Sequence, residues 1–188
     1  MPSQITHLAI AKKYLEKHAR LIKDVQRFLD GNVLPDLTTN KAISHYGTRT
    51  EARSILKYNR EKVNANKFLR EHDMSDDLNK GQYLHLIVDE KYYNEFLLSY
   101  FQKCVDSKQA QIDMYEVSRR DDVYIREKYG TGYSDSSFVD ELKRINHAWD
   151  EEYLGKRRQI GYKFVFPYKV GKIDKFIEKM ANIDIPLN

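Results

Sequence analysis

The chain has almost no cysteine. Cys104 is the only one in 188 residues, which excludes an internal disulfide and any zinc site built on clustered thiolates. Such a composition suits a reducing compartment. Long apolar runs are also missing, and no stretch approaches the ~20 residues that a membrane-spanning helix needs. The first residues, Met1-Pro2-Ser3-Gln4-Ile5-Thr6-His7, lack both the basic start and the apolar core of a secretory signal. The expectation is a soluble cytoplasmic protein with no transmembrane segment. A dominant charge sign is absent as well. The 32 basic and 28 acidic residues leave a net charge of +4, too even a mixture to mark a nucleic-acid binder by itself. Internal repeats, low-complexity tracts and interdomain linkers are not seen, so residues 1–188 read as a single domain large enough to bury its own core. No obligate protein partner is evident.

What is present is helical periodicity. Leu8, Ala11, Leu15 and Leu21 or Ile22 recur at three-to-four spacing and predict a helix over about residues 4–22. Asp30-Gly31-Asn32 predicts a turn after a short apolar piece around Phe28, and Pro35 predicts irregular backbone from Val33 to Tyr46. A charged helix is expected over residues 50–71, followed by a polar stretch from His72 to Asp77 and a helix running to about Val105. Further helices are expected over Gln109–Lys128, Ser136–Leu154 and Lys172–Met180, with a break at Gly130-Thr131-Gly132 and a short extended piece from Tyr162 to Tyr168. The fold class that follows is all-α.

The most informative stretch is Gly81-Gln82-Tyr83-Leu84-His85-Leu86-Ile87-Val88-Asp89. An i, i+4 spacing puts His85 and Asp89 one turn apart on one side of a helix, within reach of a single cation. Their side also holds Leu78, Val88, Tyr92 and Phe96, so it must pack inward. Burying both groups unpaired costs several kcal/mol, roughly. Either a metal or a tight hydrogen-bond partner is required. Gly81, one turn earlier, leaves room for a neighbouring element.

Three further groups have the right chemistry. His7 shares a stripe with Ala11, Tyr14 and His18, but eleven residues of helix put His7 and His18 roughly 16 Å apart, so they cannot serve one ion. Asp36 and His45 stand in Pro- or Gly-marked loops, where a rigid helical frame can aim them. Imidazole and carboxylate without thiolate suit Zn²⁺, Mn²⁺ or Fe. Two such ions about 3.5–4 Å apart can share a carboxylate, lower the pKa of water to about 7 and clamp a phosphoryl oxygen.

Taken in order, Ile5-Thr6-His7-Leu8, Gly31-Asn32-Val33-Leu34-Pro35-Asp36, Ser44-His45-Tyr46 and the Gly81–Asp89 stretch resemble the successive motifs of the zinc-dependent phospholipase C family, whose helical fold is shared with fungal single-strand nucleases. The resemblance covers roughly Ile5 to Phe96. It implies a single-domain helical bundle of that type, with phosphodiesterase activity at a site of two or three Zn²⁺ ions. Asp36, His45, His85 and Asp89 would hold one ion, and Asp89 would bridge to a second held also by His7. Asp36 would serve as ligand, as general base, or both. The family's third ion uses a later histidine and a His-x-x-x-Glu pair, which His147 and Glu151 offer. No histidine lies between His85 and His147, so this third position is incomplete or differently built. On the helical wheel His147 also points away from the apolar face of Phe138, Leu142, Ile145 and Trp149. The implied substrate is phosphorylated: a phospholipid, nucleotide, nucleic acid or small phosphodiester.

Two alternatives accompany this expectation. His72-Asp73 is the dipeptide of HD-domain nucleotide phosphohydrolases, with His45 and Asp135 or Asp140 as completing ligands. A non-catalytic binding or regulatory protein that keeps the fold is the other. Tyr83, Tyr92, Tyr93 and Tyr100 either line a cleft or pack with wet hydroxyls. Lys156, Arg157, Arg158, Lys163, Lys169, Lys172 and Lys175 either attract an anionic substrate or form a charged surface.

Overall fold

Three of the helices that carry candidate residues begin at side-chain caps. In the computed structural model, which describes residues 2–38, 40–47, 63–103, 107–159, 168–169 and 171–186, helix α1 (Gln4–His18) starts where Ser3 Oγ accepts the Thr6 N–H at 3.2 Å. Helix α2 (Val25–Leu37) is capped by Asp24, which accepts the Arg27 N–H at 3.0 Å. After the short α3 (Lys41–Ser44) and α4 (Ala65–Glu71), helix α5 (Asp77–Tyr92) is capped by Asp76, which accepts the Leu78 N–H at 2.9 Å. It widens into a π turn over Tyr93–Leu97 and continues as α6 (Leu98–Phe101). Helices α7 (Ser107–Tyr129), α8 (Val139–Gln159) and α9 (Gly171–Met180) complete the order. No strand occurs among the described residues, and an isolated bridge pairs Tyr46 with Val63. The all-α expectation holds.

The expected turn at Asp30-Gly31-Asn32 does not exist. These residues and Pro35 lie inside α2, because the helix is held there by α5. A Cβ added to Gly31 would stand 2.1 Å from the Leu78 carbonyl oxygen, and one added to Gly81 would stand 2.1 Å from the Phe28 carbonyl oxygen. Each helix thus offers a glycine to the other's backbone. A mid-helix glycine costs about 1 kcal/mol relative to alanine, but here it allows the close contact that aligns the end of α2 with the middle of α5. Tertiary contact overrides the local breakers.

Other differences are smaller. The helix expected over 50–71 does not pass through residues 63–64, since Val63 is bridged to Tyr46 and Asn64 caps α4 by accepting the Lys67 N–H at 2.8 Å. Residues 50–62 lie outside the described residues, as do residues 162–167 of the expected extended piece, Lys163 among them, and the side chains of Lys156 to Arg158. The break after α7 is present, with Gly130 in the left-handed region at φ 58°. On α8, Leu142 is buried, whereas Trp149 is 45 % exposed and stacks on Tyr153 at 5.6 Å between ring centres. Tyr83, Tyr92 and Tyr93 pack with buried rings, and the Tyr92 hydroxyl meets that of Tyr168 at 2.5 Å. They belong to the core. No helix among the described residues is long and apolar enough to cross a membrane.

Candidate metal centre

Four elements bring five ionisable side chains together. His7 comes from α1, Asp36 from the last turn of α2, His45 from the exit of α3, and His85 and Asp89 from one face of α5. All five are buried. Asp89 stands at the centre and its two oxygens face different neighbours. Its Oδ1 lies 3.3 Å from His7 Nε2, while its Oδ2 lies 3.0 Å from His45 Nε2 and 3.5 Å from His85 Nε2. His45 Nε2 is 3.2 Å from His85 Nε2 and 3.9 Å from Asp36 Oδ1. The rings of His7 and His85 stack at 3.9 Å between centres.

The second nitrogens of the central imidazoles are held by the surrounding structure. His85 Nδ1 lies 2.8 Å from the Asn32 carbonyl oxygen, which only accepts, so Nδ1 carries the proton and the neutral ring presents Nε2 as a lone pair. Asn32 lies one turn before Asp36, and its side-chain amide donates to the Gly81 carbonyl at 3.3 Å. Ser44 Oγ stands 2.9 Å from His45 Nδ1. His45 is followed by Tyr46, a non-glycine residue at φ 60°. Such a conformation costs about 1–3 kcal/mol. Here it is secured by the bridge to Val63 and by the Tyr46 hydroxyl, 2.5 Å from His72 Nε2.

Hydrogen bonding accounts for only part of the cluster, linking His45 Nε2 with His85 Nε2. Both ring nitrogens of His7 and both oxygens of Asp89 are buried without a hydrogen bond of acceptable geometry, although imidazole nitrogens stand close to them. Atoms this near, yet not aligned donor to acceptor, are spaced as ligands of a common cation would be. A tetrahedral Zn²⁺ with ligands at about 2.0–2.1 Å places its donors about 3.3 Å apart. His45 Nε2 to Asp36 Oδ1, to His85 Nε2 and to Asp89 Oδ2, and His85 Nε2 to Asp89 Oδ2, are separations of 3.0 to 3.9 Å, around that value. Two overlapping groups, His7 with His85 and Asp89, and Asp36 with His45 and His85, have the composition and spacing to hold a metal ion. One Nε2 serves only one ion, so His85 belongs to one site and the two-oxygen carboxylate of Asp89 is the group able to join them.

The charges follow this arrangement. Burial opposes ionisation of Asp89, but His85, His45 and His7 outweigh it and hold its pKa well below the usual carboxylate value. Burial lowers the His7 pKa to about 4, aided by His85 and opposed by Asp89. For His85 burial also lowers the pKa, but Asp89 overcomes it and the net shift is upward. Asp36 is lowered too, since Lys41, His85 and His45 together outweigh its burial.

His147 and Glu151 do not join this centre. Both are exposed on α8, and neither belongs to a metal-competent group among the described residues. The nearer α8 residue is Asn146, whose Nδ2 donates to Gln4 Oε1 at 3.2 Å, while Gln4 Nε2 donates to Asp36 Oδ2 at 3.2 Å. The HD arrangement is not assembled either. His72 is bonded to Tyr46, exposed Asp73 is used by Ser75, Asp135 pairs with Lys12 at 3.1 Å, and Asp140 is exposed. His18 stacks on Tyr14 at 4.3 Å. Sequence reasoning missed Gln4, Lys41 and Asn146, because an amide or ammonium in a polar segment carries no spacing signal. Asn32, inside one of the motifs, was visible without its role. No family model matches the chain, and neither a curated protein nor a solved structure does.

Proposed function

We propose that this chain is a metal-dependent phosphoester hydrolase, a phosphodiesterase of the kind expected from its resemblance to zinc-dependent phospholipase C. The observation that carries the reading is the convergence of His7, Asp36, His45, His85 and Asp89 around buried donor atoms left without hydrogen-bond geometry. The donor set fits Zn²⁺, with Mn²⁺ or Fe as chemically acceptable substitutes. Asp36, His45, His85 and Asp89 Oδ2 would hold one ion, and Asp89 Oδ1 with His7 would face a second. Bound there, the metal supplies a water acidified to a pKa of about 7 and positive charge for the phosphoryl oxygens.

The chain's residues supply the rest. The Asn32 carbonyl fixes the orientation of His85, and Gln4 fixes that of Asp36. Held low by Lys41 and the imidazoles, the Asp36 carboxylate is a weak base, so its part is that of a ligand more than a proton acceptor. His147 and Glu151 are left out of the ligand set. The substrate class is a phosphoester: phospholipid, nucleotide, nucleic acid or small phosphodiester.

The test is metal analysis and turnover on one preparation purified without chelator. The expected result is stoichiometric Zn²⁺ and hydrolysis of bis(p-nitrophenyl) phosphate, both lost in His85→Ala. A wild-type protein that neither retains nor takes up a divalent metal would falsify the reading. Bound metal without turnover of any phosphomonoester, phosphodiester, phospholipid vesicle or single-stranded DNA would identify a binding protein instead.

A further inference from the structure

The five clustered side chains are almost wholly buried, and Asp36 is the least covered. His7, His45, His85 and Asp89 have side-chain exposures of 0–4 %, and Asp36 has 11 %. Lys41, at the first position of α3, is 43 % exposed, yet its Nζ reaches inward to 2.5 Å from Asp36 Oδ1 and 2.9 Å from the Asp36 carbonyl oxygen. It therefore spans from solvent to the edge of the centre.

Asp36 Oδ2 is occupied by the Gln4 amide, which leaves Oδ1 as the oxygen turned toward His45 and the proposed ion. Lys41 thus sits on the very atom that a metal would use. A divalent cation and an ammonium on one carboxylate oxygen repel each other strongly at that range, the more so beside a buried cluster. Lysine is a compact charge on a flexible stem, and this side chain is 43 % exposed. On leaving Oδ1 its ammonium can be hydrated, and its Cα stays on α3 beside the centre.

We propose that Lys41 is an exchangeable counter-ion: it neutralises Asp36 while the centre is empty, is displaced from Oδ1 by the entering metal, and then binds a phosphoryl oxygen of the substrate at the solvent side. This rests on the metal-centre reading above. Lys41 is far more exposed than the five side chains of the cluster that it touches, and so marks the side nearest solvent. The fold thereby uses one ammonium for two carboxylate-like partners in succession, first its own aspartate and then the substrate.

The experiment compares wild type, Lys41→Met and Lys41→Arg, with Zn²⁺ affinity measured by chelator competition and orthophosphate binding to the Zn²⁺-loaded protein measured by calorimetry. Loss of the competing charge in Lys41→Met should tighten Zn²⁺ about 10-fold and weaken orthophosphate about 10-fold, each a shift of about 1.4 kcal/mol. Lys41→Arg keeps the charge and should stay near wild type in orthophosphate binding. Unchanged or weaker Zn²⁺ binding in Lys41→Met overturns the exchange, and unchanged orthophosphate binding overturns the anion role. Failure of wild type to bind Zn²⁺ removes the metal-centre reading and this inference together, whereas a Zn²⁺-binding wild type with indistinguishable variants removes the inference alone.

Discussion

Helix α5 buries two ionic groups, one at its start and one at its middle, and they are built in opposite ways. At the start, Asp77 Oδ1 accepts from Lys80 Nζ at 2.7 Å, and its Oδ2 accepts the Lys23 and Asp24 N–H groups at 2.8 and 2.7 Å. Lys80 also donates to the Leu21 carbonyl at 2.9 Å. Every strong acceptor there has a donor. Three turns on, the oxygens of Asp89 have imidazole nitrogens at 3.0 to 3.5 Å, and none of these contacts has good hydrogen-bond geometry. A satisfied buried pair closes a junction of the fold, here the entry to α2 against α5. A convergence of imidazoles and carboxylate without hydrogen-bond geometry is stabilised by added positive charge, a proton or a metal ion, which is why the second region, and not the first, is read as a site.

The contrast is open to direct attack. Removing one partner of the satisfied pair, as in Asp77→Ala, should cost about 3–5 kcal/mol by urea denaturation, with or without Zn²⁺, because Lys80 is left buried and unpaired. Asp89→Asn should behave differently. It should cost far less in chelator-treated protein but abolish the gain from Zn²⁺, which for wild type reaches about 4 kcal/mol at 1,000 times Kd. Equal losses for the two variants in metal-free protein would break the distinction.

Next in size is Gly81→Ala. Its Cβ would lie 2.1 Å from the Phe28 carbonyl oxygen, so α2 and α5 must separate, at a cost of about 3 kcal/mol in thermal or urea unfolding. Since Asp36 rides on one helix and His85 on the other, Zn²⁺ affinity should fall with it. Retained affinity would show that the close helix contact does not set the site.

The pH dependence of the metal-free protein should be smaller and directional. The folded His7 pKa is depressed to about 4 from 6.5, so between those values the unfolded chain binds the extra proton and stability falls as pH falls, by at most about 1.4 kcal/mol per pH unit. His85 is shifted upward and acts in the opposite sense: its contribution is complete below 6.5 and is lost as pH rises through the folded value. His7→Gln should flatten the acidic limb alone. An unchanged acidic limb would mean that His7 is not held neutral by burial. The smallest effect belongs to His147→Ala and Glu151→Ala, which should leave stability within about 0.5 kcal/mol and leave metal stoichiometry unchanged, as exposed positions do. Loss of an ion in either variant would return them to the ligand set.

The sequence by itself determined the helical class and most helix positions, and it singled out the five side chains that the fold brings together. Three-to-four apolar spacing survives any tertiary context, and an imidazole four residues before a carboxylate on an apolar face is costly enough to stand out. Tertiary structure alone decided three matters. It made Asp30-Gly31-Asn32 and Pro35 helical, because two glycines from distant segments, Gly31 and Gly81, let α2 and α5 touch backbone to backbone. It left His147 and Glu151 outside on α8 and brought Asn146 and Gln4 toward Asp36 instead. It also set Lys41 against Asp36 Oδ1, five residues on in the chain. Local propensity cannot register these outcomes. They arise from contacts between segments that are far apart in sequence, or from a turn geometry at Tyr46 that is held by residues from elsewhere.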